Sequence, residues 1–339
     1  MKKKTVELNL AQKRRLFGCM EQFKTARVLV IGDFILDQFV WGTVKRISPE
    51  APVPVVNVER ESYMPGGSLN VAHNIATLGG TVFPCGVVGR DLAGRMLLKS
   101  MRKLGIDTGG ITYDRTRPTS LKTRIIAHSQ QVVRFDREKI GPISPEDTQS
   151  LLRYVKKQIA SADVVVIEDY GKGVIHPAFV REVVSTARKQ RKPILVDPKE
   201  RHFDYYRGVT ALTPNRKEAC EAFRSLFPGA EDTPDLKTIG FGLMKKLNSR
   251  ALLITLGEDG MALFEKNKAV TFIPTAAQEV YDVSGAGDTV IAVFALALAA
   301  RAGLGDAALL SNLAAGIVVG KLGTATASYE ELKDAVKAA

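Results

Sequence analysis

Cysteine, histidine and long apolar runs are all scarce in this chain, and each shortage excludes a class of protein. Only three cysteines occur in 339 residues: Cys19, Cys85 and Cys220, widely spaced and odd in number. They frame no disulfide scaffold, which fits a reducing cytoplasm. None of the four histidines stands at metal-ligand spacing, and His73, inside a helical pattern, reads as structural. The longest apolar run, Val290–Ala300, is too short to span a bilayer. No apolar stretch follows the basic start Met1–Lys4, so no secretory signal is expected. No Gly-x-Gly-x-x-Gly follows the first strand pattern, which argues against a dinucleotide oxidoreductase. The net charge of +12 comes partly from Lys2–Lys4 and Lys13–Arg15. Neither aromatic-interleaved basic stretches nor zinc-finger spacing accompany it. It therefore reads as solvated surface, with no nucleic acid or membrane as partner.

What is present is the rhythm of an α/β domain. The chain is 45% hydrophobic and 25% charged, with no repeat and no long linker. Short apolar runs alternate with helical patterns from Pro145 to Thr255, which predicts a central, mostly parallel sheet flanked by helices. We expect one domain over residues 1–339. Shorter β-rich stretches within 34–58 and 119–136 predict a small β-sheet that projects as a lid. Asp33, Asp169, Asp197, Asn215 and Gly257 each follow a predicted strand. Ligands of open parallel sheets gather at such strand ends.

The segment Asp282-Val283-Ser284-Gly285-Ala286-Gly287-Asp288 opens directly into the apolar run. Backbone N–H groups at a helix start lack intrahelical partners and carry partial positive charge, so small residues there admit an anion. Asp288 would repel that anion unless its task is to take a proton from the attacking group. The pair suggests phosphoryl transfer to a hydroxyl; a helix cap is the simpler reading of the motif alone.

Two segments together decide between these readings. Gly66-Gly67-Ser68-Leu69-Asn70-Val71-Ala72, followed later by Asp282–Asp288, resembles the paired signatures of the ribokinase-like (PfkB) carbohydrate kinases. Asn215-Arg216-Lys217-Glu218 matches the family's Asn-x-x-Glu element, and Thr255-Leu256-Gly257-Glu258-Asp259-Gly260 its nucleotide-side turn. The resemblance runs from about Arg27 to Ala327. Gly32–Asp37, Arg46–Val55, Gln130–Asp136, Asp169–Gly173, Asp197–Lys199 and Ala315–Thr324 narrow it to one branch. That branch phosphorylates the anomeric hydroxyl of D-glycero-β-D-manno-heptose 7-phosphate, giving the 1,7-bisphosphate for ADP-heptose or GDP-heptose and the lipopolysaccharide core. The chain ends soon after the kinase portion, so it resembles a stand-alone form. A same-fold kinase of another sugar or sugar phosphate stays open, and a non-catalytic sensor is the reading from another class.

The resemblance also implies roles. Asp288 would be the catalytic base, with Gly285, Ala286 and Gly287 holding the transferring phosphoryl group of ATP. Asp33, Asp37, Gly66, Gly67 and Asn70 would meet the sugar, with helix capping as the alternative for Asn70. Lys122, Arg124, Arg134 and Lys172 would supply charge for its phosphate, and Asp169 would orient Lys172 or a hydroxyl. Tyr170 stands between stacking on sugar and packing. Lys199, Thr255, Gly257, Gly260 and Asn312 fall on the nucleotide side. The neighbours of Asn312, Ser311 and Leu313, replace the family's usual alanines. Asn215 and Glu218 would lie near Mg²⁺ through water, although the same pair reads as a capping box. Asp282 and Ser284 match a K⁺ position, with loop stabilisation as the alternative for Asp282. A homodimer built through the small sheet is the implied assembly.

Overall fold

The computed structural model describes residues 6–128, 130–230, 234–277 and 279–339. The basic residues 2–4 and Ser129, between the two predicted hairpin strands, lie outside it. Helix α1 (Leu10–Glu21), closed by an Asn9/Gln12 capping box, leads into β1 (Arg27–Gly32). Then come β2 (Phe34–Ile47), β3 (Pro54–Gly67), α2 (Ser68–Thr77), β4 (Thr81–Gly89), α3 (Leu92–Lys103) and β5 (Ile111–Asp114). The hairpin β6 (Ser120–Ala127) and β7 (Gln130–Arg137) precedes α4 (Pro145–Gln158), β8 (Val164–Glu168), α5 (Pro177–Lys189) and β9 (Ile194–Asp197). β10 (Ala211–Leu212), α6 (Arg216–Leu226), α7 (Leu236–Leu247), β11 (Ala251–Thr255), β12 (Met261–Glu265) and β13 (Thr271–Ile273) follow. Helices α8 (Ala286–Ala299), α9 (Leu304–Val318) and α10 (Tyr329–Ala338) finish the chain.

Nine strands form one sheet in the order β13-β12-β11-β10-β9-β8-β1-β4-β5, parallel except where β12 and β13 turn back. Alternate residues of its inner strands enter two separate cores. Val28, Val30, Val164 and Val166 face α1, α2, α3, α8, α9 and α10; Leu29, Ile31, Val165 and Ile167 face α4 to α7. Burial on both faces is why these strands read as continuous apolar runs rather than alternating ones. Helix α8 is apolar on all sides because other elements surround it, and every residue from Asp288 to Ala297 is buried.

β1 is the switch point: the chain lays β4 and β5 on one side of it and β8 to β11 on the other. A crevice opens at the carboxyl ends of strands around such a point. The second sheet, in the order β3-β2-β6-β7, grows from that end, since β2 begins one residue after β1 and β3 runs straight into α2. Its arms are longer than the short strands expected. Phe34–Ile47 is a single strand that leaves the core and continues into solvent, and its register against β3 slips at Trp41/Gly42. A Cβ on Gly42 would overlap the Asn57 carbonyl, so glycine permits that slip. Strand β5, four residues at the sheet edge, has no periodic signal long enough to read. No helix among the described residues is long and apolar enough to cross a membrane.

Candidate active site

Gly285 caps α8 in a left-handed conformation (φ 78°), and Asp288 is the third helical residue. The Ala286 N–H bonds to the Val283 carbonyl at 3.2 Å, and the next bond in the ladder is Thr289 to Gly285 at 3.0 Å. The N–H groups of Gly287 and Asp288 have no partner among the described residues, and Gly287 is exposed. These are the donors an incoming phosphoryl group can use. The Asp288 carboxylate is buried beneath them. Its Oδ2 accepts from Asn70 Nδ2 at 2.6 Å and its Oδ1 from the Tyr170 hydroxyl at 2.7 Å. Burial pushes its pKa up to about 6, against those two hydrogen bonds and the charge of Lys122. Asn70 is itself placed by α2, where Asn74 Nδ2 donates to its carbonyl at 2.9 Å and Thr289 bonds Asn74.

Two more carboxylates from strand ends converge on this point. One carboxylate oxygen from each of Glu168, Asp197 and Asp288 lies within 4.8 Å of the others. Burial, then neighbouring negative charge, raises both Glu168 and Asp197 well above the ordinary range. Glu168 Oε2 is buried with no hydrogen-bond partner, and Glu218 adds its charge beside Asp197. Hard oxygen ligands, an orphaned carboxylate oxygen and concentrated negative charge fit a divalent cation.

Beyond this cluster lies one face of the small sheet. Asp37, Lys122 and Asp136 lie side by side across β2, β6 and β7, as do Phe39, Arg124 and Arg134 one step further out. Asp37 forms an ion pair with Arg124, and a Cβ on Gly66 would overlap Asp37 Oδ2. Lys122 Nζ sits 5.3 Å from the centre of the Tyr170 ring, and burial lowers its pKa. A cleft of about 570 Å³ continues outward between this face (Phe39, Trp41, Arg124) and the Tyr281–Ser284 and Leu322–Gly323 segments.

The pfkB family carbohydrate kinase profile matches residues 25–331, nearly the whole chain. The chain belongs to the pfkB family of carbohydrate kinases. It is 46% identical over 309 residues to the bifunctional protein HldE of Wolinella succinogenes, covering 91% of this chain and 64% of that protein. To the HldE of Geobacter sulfurreducens it is 47% identical over 304 residues, covering 90% and 61%. The chain thus spans a little under two thirds of these curated relatives. Among solved structures, phosphofructokinase-2 from Escherichia coli in complex with potassium superposes with a TM-score of 0.76 at 17% identity, over 92% of this chain and 98% of that one. Arabidopsis thaliana ribokinase complexed with ribose and ATP gives 0.69 at 18%, over the same shares. The ribokinase-like fold is therefore shared by proteins with little sequence in common.

Within this pfkB kinase, several expected site residues are occupied elsewhere. Asp33, expected to meet sugar hydroxyls, instead accepts from the backbone N–H of Tyr170 (3.2 Å), Lys172 (2.9 Å) and Val174 (3.1 Å). It shapes the loop that carries Tyr170. Burial and the charge of Asp169 raise its pKa to about 6. Asp169, expected to orient Lys172 or a hydroxyl, is bonded to His202 Nδ1 (2.6 Å), the Tyr206 hydroxyl and the Gly171 N–H. Lys172 pairs with Glu138 at 2.5 Å, and Arg134, half exposed, with Asp136 at 3.1 Å. Asn70, read as a sugar ligand or a cap, holds Asp288. Gly67 (φ 59°) turns the chain into α2.

Of the residues expected on the nucleotide side, Asn215 and Glu218 form the capping box of α6. Asn215 is exposed there, while Glu168, Asp197 and Asp288 form a carboxylate cluster close enough to share a cation. Thr255 ends β11 beside Asn215, and Gly257 (φ 62°) has open space around it. Gly260 (φ 87°) is required by the hairpin, since a Cβ there would overlap the Ile273 carbonyl. Asn312 donates to the Pro274 carbonyl at 2.8 Å, which ties α9 to the chain after β13. Lys199 pairs with Glu200 at 2.8 Å. Asp282 accepts from the N–H of Ser284 (2.9 Å) and Gly323 (3.0 Å), contacts that hold the loop.

Three residues of the centre have places that the sequence reading does not assign. Asp197 is visible at a strand end without an assigned task. Glu168 stands one residue before the Asp169 that attracts attention. Because side chains alternate along a strand, Glu168 points into the carboxylate cluster while Asp169 turns toward Tyr206. Tyr170, read as stacking on sugar or as packing, donates to Asp288.

Proposed function

We propose that this chain is an ATP-dependent kinase that phosphorylates the anomeric hydroxyl of D-glycero-β-D-manno-heptose 7-phosphate to the 1,7-bisphosphate. The observation that carries the reading is Asp288: buried, ionisable and held by Asn70 and Tyr170, beside the unpartnered N–H groups of Gly287 and Asp288. The choice of heptose rests on the segments from Gly32 to Thr324 described above and on the 46% and 47% identity to the HldE proteins.

In the proposed mechanism the acceptor hydroxyl lies against Asp288 and gives it a proton as its oxygen attacks the γ-phosphorus. A new O–P bond forms, the bond to the ADP oxygen breaks, and ADP leaves. The free N–H groups at the start of α8 receive the phosphoryl oxygens. Such transition states are loose, so positioning and charge matter more than base strength. Mg²⁺, when bound, would neutralise developing charge; Glu168 and Asp197, with Glu218 adjacent, would hold it, which leaves Asp288 free to take the proton. Lys122, half-buried and without a carboxylate partner among the described residues, and Arg124, paired with Asp37, are the cations assigned to the sugar phosphate. The small sheet serves as the lid over this acceptor side, within one domain spanning the chain.

A coupled ADP-release assay across heptose 7-phosphate, fructose 1-phosphate, fructose 6-phosphate and ribose tests the reading. We expect heptose 7-phosphate to give the highest kcat/KM. Robust turnover of another acceptor beside a silent heptose 7-phosphate would move the chain to a different sugar within the same fold. The pH profile adds a second check. The base acts as a carboxylate, so protonation inactivates it, and Asp288 is raised to about 6. The rate kcat/KM should therefore climb as pH rises through that value and level off above it. Asp33, also near 6, acts in the same direction, because its protonation loosens the Tyr170 loop. A profile flat from about pH 5 to about pH 8 would contradict the assignment.

A further inference from the structure

Away from the Asp288 site, α5 carries Arg181, Val184, Ser185 and Arg188 at helical spacings that bring them to one face. This face, extended by Lys189, lines a cleft of about 640 Å³, closed on the other side by Asp204, Tyr205 and Arg207. Its volume is that of a small-molecule site. Arg181, Arg188, Lys189 and Arg207 have no carboxylate at ion-pair distance among the described residues. The acid on α5, Glu182, is paired with Lys156 at 3.4 Å. Asp204 is the single carboxylate on the rim, against four cations. Arg181, Arg188 and Arg207 are exposed and line one concavity, and guanidinium groups bind phosphate oxygens two at a time.

The cleft has ordered walls. Gly208 takes a left-handed conformation (φ 77°), and a Cβ on it would lie 2.8 Å from Arg188 Nη1, so glycine leaves the room that the guanidinium occupies. The Tyr205 ring stacks on His202 with centroids 4.6 Å apart and planes 15° apart, and His202 is bonded to the buried Asp169. The aromatic wall therefore rests on the same loop that presents Tyr170 to Asp288. Arg181 and Arg188 are seven residues apart, two turns of the helix, so their long side chains can approach one polyanion from its two ends.

We propose that this cleft is a second ligand site for a small anion bearing two or more phosphate groups, separate from the kinase centre. Pyrophosphate is the probe, titrated calorimetrically into the full chain at physiological ionic strength. Wild type should bind it, and the double variant Arg181→Gln/Arg188→Gln should lose affinity by roughly tenfold or more, as two charge-assisted contacts are removed. A control, Arg102→Gln/Lys103→Gln, removes two exposed charges at the end of α3 and should bind like wild type. Pyrophosphate held at the kinase centre would survive in all three proteins, so only the component lost in the first variant belongs to the cleft. An isotherm unchanged by Arg181→Gln/Arg188→Gln overturns the proposal. So does an equal loss in the control, which would mean diffuse attraction, or no binding by wild type at about 1 mM pyrophosphate. If the double variant fails to fold, Arg207→Gln carries the same test from the opposite wall.

Discussion

Asp288→Asn should lower kcat by about 10²- to 10⁴-fold, the range associated with loss of a positioned general base. The substitution keeps the shape of the side chain and removes only its ability to accept a proton. The Tyr170 hydroxyl can rotate to accept from the new amide, and Asn70 can still donate to its oxygen, so the local network survives. It also removes an ionisable group whose carboxylate form burial disfavours. Thermal stability should therefore hold, and the loss should appear in kcat rather than in the melting curve. Steady-state turnover on the preferred acceptor, measured beside a thermal melt, separates the two. Full activity in the Asp288→Asn variant would remove Asp288 from the chemistry.

Gly285→Val should cost about 10²-fold or more in turnover, comparable to losing a preorganised donor set. The cause differs from that of Asp288→Asn. At φ 78° a β-branched residue is strained, and its Cβ would lie 2.7 Å from Asn70 Nδ2. The amide that holds Asp288 would be displaced, so base and anion turn fail together. Strain of this kind costs about 1–3 kcal/mol, so some loss of stability should accompany it. Gly287→Ala isolates the anion part. A Cβ there meets nothing closer than Asp197 Oδ2 at 3.6 Å, so the protein should melt like wild type. Any loss of turnover then reports crowding of the phosphoryl group. If Gly285→Val matched wild type in kcat, the turn would have no part in transfer.

The parts of the fold that are legible in the sequence are those where one face decides everything. The runs Val28–Ile31 and Val164–Ile167 are apolar throughout because the sheet is covered on both sides, and both are strands. Helix α4 starts at Pro145, where the predicted alternation begins, and Ser144 caps it. Where local signals are weak the reading falls short. β5 is four residues long, and β2 passes from core to solvent without a break in its strand pattern. The small sheet's pairing, with β2 parallel to β6, joins segments more than eighty residues apart, and no local pattern encodes that.

The site divides in the same way. Motif positions are properties of the chain: the turn before α8, the glycines before α2 and the acids that follow strands are all visible in order. Which of those acids face one another is not, because a carboxylate's partner is set by strand register and side-chain direction. Asp33 and Asp169 stand at strand ends as plainly as Asp197, yet the fold commits them to backbone N–H groups, His202 and Tyr206. Glu168, one residue away, is left with an unpaired oxygen inside the cluster. Short-range pattern was enough for the α/β architecture, and two spaced motifs carried the family resemblance and singled out Asp288. That Asn70 and Tyr170 hold this aspartate, and that Glu168 and Asp197 join it, came only with the folded chain, because these contacts form when distant strand ends meet.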